Sequence, residues 1–164
     1  MSDVPDHLAT ALEMLGRTDV TLTAVTYHRG PNDPFKKVPA PVRWLPRAGA
    51  SDLRRLFATH DVLVFPSLAE AFGLVCVEAL YAGLPVIATR RTGAPDIISP
   101  GQNGLLVDGG DPAALADAIR QLADSPEMVA LLKQGAQAMG RQWTWERFRT
   151  GLVSAISDLE SVCA

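Results

Sequence analysis

At 164 residues, 48% hydrophobic and 20% charged, the chain is long enough for one domain with a sizeable core, and its composition is that of an ordinary globular protein. A net charge of −3, with no basic block longer than a pair such as Lys36-Lys37 or Arg54-Arg55, gives no electrostatic basis for nucleic acid or an anionic membrane as partner. The N-terminus carries Asp3 and Asp6 without the apolar run of a signal peptide. The most apolar window, Gly73 to Thr89, contains Glu78 and is too short to span a bilayer. Cys76 and Cys163 have no metal-ligand spacing, so a reduced, cytoplasmic setting is expected.

In chain order the patterns predict a helix over 5–16 and a strand over 20–27, then a proline-rich loop over 30–41, a strand over 42–45 and a helix over 51–59. The run Val62-Leu63-Val64-Phe65, stopped by Pro66, reads as a strand over 61–65 buried on both faces. From Gly73 the apolar residues Leu74, Val77, Leu80 and Tyr81 recur at three- and four-residue intervals, which predicts a helix over 73–82 ended by Gly83. A strand over 84–88, a short helix over 94–99 and a strand over 104–107 follow. Asp111-Pro112 and Ser125-Pro126 each pair an N-cap with a proline at the first helical position, giving helices over 112–123 and 126–139, and Thr144 caps a last helix through Leu159. Strands alternating with helices make this an α/β fold, a parallel sheet covered on both faces.

The segment from Phe65 to Leu80 concentrates the chemistry. A strand feeding a helix N-terminus leaves amides pointing out of the turn with the positive end of the helix dipole behind them, and such a turn accepts a phosphate or a polar sugar. Gly73 is read as allowing a ligand to approach the backbone without a β-carbon in the way. Glu78, just over a turn into the helix, can reach a pair of neighbouring hydroxyls such as those of a ribose. Taken alone, Glu70 is a solvated loop acid as readily as a functional one. Arg90 and Arg91, after the strand ending at Ala88, are either a solvated pair or a source of positive charge at the ligand edge. His60, before a strand and after a helix, reads as structural.

The context Pro66-Ser67-x-x-Glu70-x-Phe72-Gly73-Leu74-x-x-x-Glu78-Ala79, followed by Ala82-Gly83-Leu84-Pro85-Val86-Ile87-Ala88-Thr89, resembles the donor half of retaining GT-B glycosyltransferases of family 4. The similarity runs from about Asp6 to Leu122. It implies a Rossmann-like, doubly wound sheet over 1–164, with C-terminal helices from about 112, that binds a nucleotide-diphosphate sugar as donor. In that reading Glu70 is the catalytic candidate beside the donor sugar. The amides around Phe72, Gly73 and Leu74 bind the sugar and diphosphate, Glu78 holds the ribose, and the base lies near the backbone of Leu45 to Arg47. The resemblance implies no metal and no other cofactor. It implies as partner an acceptor-binding domain or another chain, a second copy of this one included.

Two features depart from the family pattern. Members commonly open this domain with a strand, a Gly-Arg loop and a Lys-Gly pair that grip the diphosphate, and no such residues precede the Leu8–Leu15 helix here. Tyr27-His28-Arg29-Gly30-Pro31 stands where a small glycine-rich turn is usual, and Asp96 where a glutamate is. With the first strand apparently missing from the centre of a 3-2-1-4-5-6 order, the strands predicted at 20–27 and 61–65 are expected either to pair directly or to leave a gap for another segment. Three functions remain open at this point: a transferase donor domain, a non-catalytic interaction module, and a GT-B-related epimerase or phosphorylase fragment. The absence of a Gly-x-Gly-x-x-Gly turn and of a Gly-Lys-Ser loop argues against ordinary dehydrogenases and NTPases.

Overall fold

The computed structural model describes residues 4–25, 33–70, 72–142, 146 and 149–154. Five short strands alternate with helices in the order α1 (Val4–Leu15), β1 (Leu22–Val25), β2 (Val42–Leu45), α2 (Ala50–Thr59), β3 (Leu63–Phe65), α3 (Leu74–Tyr81), β4 (Val86–Thr89), β5 (Gly104–Val107), α4 (Pro112–Asp124) and α5 (Pro126–Gly140). All pairings are parallel, as strands joined by helical crossovers require. The predicted boundaries hold to within a residue or two. The predicted helix over 94–99 is a single 3₁₀ turn, Ala94–Asp96, and the long loop contains another, Pro34–Lys37. That second turn forms because the Asp33 side chain accepts from the Phe35 amide and because buried Phe35 packs edge-on against Trp44, ring centroids 5.3 Å apart. Thr144 and Tyr27–Gly30 lie outside the described residues.

The strands form two sheets, β1-β2 and β3-β4-β5. β1 and β3 do not pair, and among the described residues no strand lies between them, so the expected gap at the sheet centre is found there. β4, bonded on both edges and covered on both faces, is buried along its whole length, with Val86, Ile87 and Ala88 fully enclosed. The expectation that Val62–Phe65 is buried on both faces is corrected: Leu63, Val64 and Phe65 are only half-buried because, among the described residues, one edge of β3 has no neighbour, and Leu22, Thr23 and Ala24 of β1 are half-buried for the same reason.

One apolar cluster joins α1 and α4, through Leu12, Leu115 and Ile119, to Ile87 and Val107 of one sheet and to the half-buried Leu22 and Val42 of the other, so the two sheets share a core. A second cluster lies on the opposite face, where Phe57 of α2 and Cys76, Ala79 and Leu80 of α3 pack on Val86 and Ala88. The helix starts follow the sequence signals. Asp111 accepts from the Ala114 amide and Ser125 from the Met128 amide, with Pro112 and Pro126 as first helical residues. α5 crosses α3 so closely that a β-carbon at Gly140 would lie 2.4 Å from the Tyr81 Cα.

Because the atom in the way at Gly140 is backbone, a Gly140→Ala variant is expected to lose about 1–3 kcal/mol in urea unfolding through overpacking. Gly151→Ala, where nothing lies within 4 Å of the added carbon, is expected to hold or gain up to about 1 kcal/mol from helix propensity. Equal effects of the two substitutions would contradict the packing described.

Candidate functional site

The carboxyl ends of β3, β4 and β5 lead into three loops that meet at one edge of the sheet, the edge at which ligands of open parallel α/β folds are bound. The β4 loop is stitched to the β3 loop: the buried Thr89 hydroxyl donates to the Ser67 carbonyl, and Thr92 Oγ1 donates to the Thr89 carbonyl at 3.0 Å while accepting from the Ala94 amide at 3.1 Å. The chain then passes so near the β3 loop that a β-carbon on Gly93 would sit 2.9 Å from the Phe72 Cα and carbonyl oxygen. At the third loop, Leu68 reaches toward Gly110, and the aliphatic stem of Arg91 lies against Gly109. Thr89, Thr92 and Gly93 lie in the stretch that carries the resemblance, but no site role is read for them from the sequence; two hydroxyls and a glycine at and just after the end of a buried strand are the signal.

Of the predicted site residues, Glu70, Phe72, Gly73, Leu74 and Glu78 lie together in the turn from β3 into the first turns of α3. Glu70 and Glu78 are exposed, and among the described residues neither carboxylate has an ion pair. α3 starts at Gly73, which has no side chain to cap it; among the described residues no N-cap side chain meets its first-turn amides, and the Cys76 amide donates to the Gly73 carbonyl at 2.8 Å. Leu74, the first residue of α3, is 68% exposed. Leu45 and Arg47 lie elsewhere, at the end of β2 and just beyond it, on the far side of the gap between the sheets. Arg90 faces Asp108 at 3.6 Å and both are exposed.

The reason given for Gly73 needs correcting. Its φ of +74° is left-handed, and its missing β-carbon would point inward, 2.9 Å from the Phe65 ring and 3.6 Å from Cys76 Sγ. The glycine serves the turn and the packing beneath it rather than the approach of a ligand from outside.

Beneath the loop, Cys76 is fully buried and its thiol is pushed up to about 12, first by burial and then by the negative charge of Glu70. Glu70 therefore lies within electrostatic reach of the helix start. The site holds no cluster of metal ligands: among the described residues, no three His, Cys, Asp or Glu side chains group together as a metal site would need. No described helix is long and apolar enough to cross a membrane.

Two parallel sheets covered by helices, with an uncapped helix N-terminus and two exposed acids at the carboxyl edge, make a Rossmann-like α/β fold. The comparisons agree. Residues 36–139 match the family of glycosyl transferases group 1, and the chain belongs to that family. It is 40% identical over 105 residues to the D-inositol 3-phosphate glycosyltransferase of Streptomyces scabiei, covering 64% of this chain and 24% of the relative. To the enzyme of that name from Corynebacterium urealyticum it is 38% identical over 122 residues, 74% of this chain and 28% of the relative. The chain thus matches about a quarter of the length of these relatives. Among solved structures it superposes on Anabaena HepE in complex with UDP-glucose with a TM-score of 0.76, at 26% identity over 93% of this chain and 44% of HepE. The C-terminal domain of LpcC from Francisella tularensis shares the fold, with a TM-score of 0.68 at 21% identity over 84% of this chain and 77% of that one.

Two outcomes are expected from this geometry. Gly73→Ala should cost about 1–2 kcal/mol for the left-handed backbone, measured by urea unfolding, and a neutral effect would contradict the turn. In a Cys163→Ser background, Cys76 should resist iodoacetamide at pH 8 until the chain is unfolded. A thiol whose folded value is raised contributes stability that is complete below its ordinary value of 9.0 and is lost as the pH rises toward about 12, so the midpoint of denaturation should fall across that window. Rapid labelling of the folded chain would contradict the burial.

Proposed function

We propose that this chain binds the donor, a nucleoside diphosphate sugar, for a retaining glycosyl transfer whose acceptor is held by a separate domain or partner chain. The observation that carries this reading is the uncapped N-terminus of α3, opening between the exposed acids Glu70 and Glu78. The diphosphate lies on the amides of Phe72 to Leu74, where the helix dipole favours negative charge. Glu78, on the solvent side of α3, accepts from the two ribose hydroxyls, and Glu70 stands beside the sugar. The base lies by the backbone of Leu45 to Arg47, at the carboxyl end of β2. No metal ion or further cofactor has a part in this proposal. As the bond from the anomeric carbon to the diphosphate oxygen breaks, its electrons pass to that oxygen, an acceptor hydroxyl oxygen bonds to the anomeric carbon and gives its proton to the departing diphosphate, and donors already in position lower the barrier because they need not reorganise. HepE, solved with UDP and with UDP-glucose, supports the donor class.

Glu78→Gln replaces a charged acceptor with a neutral amide. It is expected to weaken UDP binding by about 1.5–3 kcal/mol, roughly ten- to a hundredfold, without changing the unfolding midpoint. Calorimetry on both proteins checks it, and unchanged affinity would remove Glu78 from the site. The chain alone is expected to transfer no sugar from the donor at a useful rate, since holding the acceptor in line can be worth roughly 7–11 kcal/mol of barrier. Turnover by the purified chain without any partner would overturn the division of labour proposed.

A further inference from the structure

Two arginines are the whole positive charge of the loops at the carboxyl edge. Residues 66–73, 90–93 and 108–111, which follow β3, β4 and β5, contain no lysine or arginine other than Arg90 and Arg91. Arg90 turns to Asp108, Nε to Oδ1 3.6 Å, whereas Arg91 has no ion pair among the described residues. Arg91 is nonetheless held. Its Cγ and Cδ lie 3.2 and 2.9 Å from where a β-carbon on Gly109 would stand, so the stem occupies room that such a carbon would take. The loop that presents it is tied at both ends. Before it, Thr89 donates to the Ser67 carbonyl; after it, Thr92 accepts from the Ala94 amide at 3.1 Å and Gly93 lies against Phe72. The guanidinium is thus an exposed, permanently ionised fork on a braced stem.

Its surroundings limit what it can bind. Leu68 reaches toward Gly110 while Arg91 lies on Gly109, and Glu70 is two residues on from Leu68, so Arg91 and Glu70 border the same stretch of the edge. With the base by β2, the diphosphate at the start of α3 and the sugar beside Glu70, the β4 loop that carries Arg91 is next in line past the sugar. An ionised carboxylate only accepts hydrogen bonds, and a guanidinium only donates them. Glu70 therefore suits the hydroxyls of a sugar ring. Arg91 suits an anion, and its planar fork matches a carboxylate with two parallel bonds. A neutral hexose would meet the acid and offer the arginine no more than a hydroxyl oxygen. A hexuronate meets both, with hydroxyls on the ring and a carboxylate at C5.

We propose that the sugar carried by the donor is acidic, a hexuronate whose carboxylate is bound by Arg91 while its hydroxyls face Glu70. This rests on the donor site described above and names the class of sugar which that site takes.

Calorimetry on the 164-residue chain with UDP, UDP-glucose and UDP-glucuronate tests it, since the two sugars differ only at C6. The unaltered chain is expected to bind UDP-glucuronate about tenfold more tightly than UDP-glucose, the worth of a charged hydrogen-bonded pair, and the preference should shrink as salt is added. Arg91→Gln removes the charge and should bring the ratio to about one. Arg91→Lys keeps the charge without the fork and should leave a ratio of about three. Gly109→Ala displaces the stem, and the ratio should fall about threefold although the arginine is still present. UDP-glucose bound as tightly as UDP-glucuronate by the unaltered chain would overturn the assignment and leave the donor site standing. So would a preference that survives Arg91→Gln, including the case in which that variant weakens all three ligands alike and Arg91 serves the diphosphate. A ratio untouched by Gly109→Ala would contradict the braced stem on which the assignment depends. If the chain failed to bind UDP at all, the donor site itself would fall, and this inference with it.

Discussion

Everything in this fold is referred to β4. A strand with hydrogen-bonded neighbours on both edges and helices on both faces is withdrawn from water, and Val86, Ile87 and Ala88 are chosen for that environment. From it hang β3 and β5 on the edges, α3 and α5 on one side, and α1 and α4 on the other through Ile87. Its last residue, Thr89, is the exception that makes a site: a hydroxyl in a buried strand end needs a partner, and the partner is the carbonyl of Ser67 in the neighbouring loop. The placement of the acidic turn thus follows from satisfying one buried polar group.

The turn itself is local physics. The half-buried Phe65 ring lies directly beneath Gly73 at the start of α3, and no N-cap side chain bonds the amides that follow. Membership of the glycosyl transferases group 1 gives those amides a class of ligand to consider, while the two carboxylates beside them stay in solvent with no competing cation among the described residues.

Much of this was legible in the residues. Pro112 and Pro126 behind Asp111 and Ser125 announced two helices, because a missing amide and an accepting side chain both suit a first turn. The strands 42–45 and 104–107 were equally plain. Less was visible where a long-range contact decides. The 3₁₀ turn at Pro34–Lys37 depends on Phe35 meeting Trp44, and the closeness of Gly93 to Phe72 is a property of two loops distant in sequence. Val62–Phe65 reads as a fully enclosed strand, and its half-exposure is a fact about its neighbour rather than about its own composition. The reason first given for a glycine at position 73 misses for a related cause: a glycine pattern reports that a β-carbon is unwelcome, and not from which side.

The close crossing of α5 over α3 has a mechanical consequence. The crossing falls where α3 ends, at Leu80 and Tyr81, whereas the open amides are at its beginning; eight residues at about 1.5 Å each separate the two by about 12 Å along one stiff rod. Gly135 of the same α5 rests on the backbone of Gln102, so α5 is itself braced against the turn before β5. At that crossing backbone lies against backbone with no side chain between to yield, so α5 and the far end of α3 are registered to each other more tightly than side-chain packing alone would hold them.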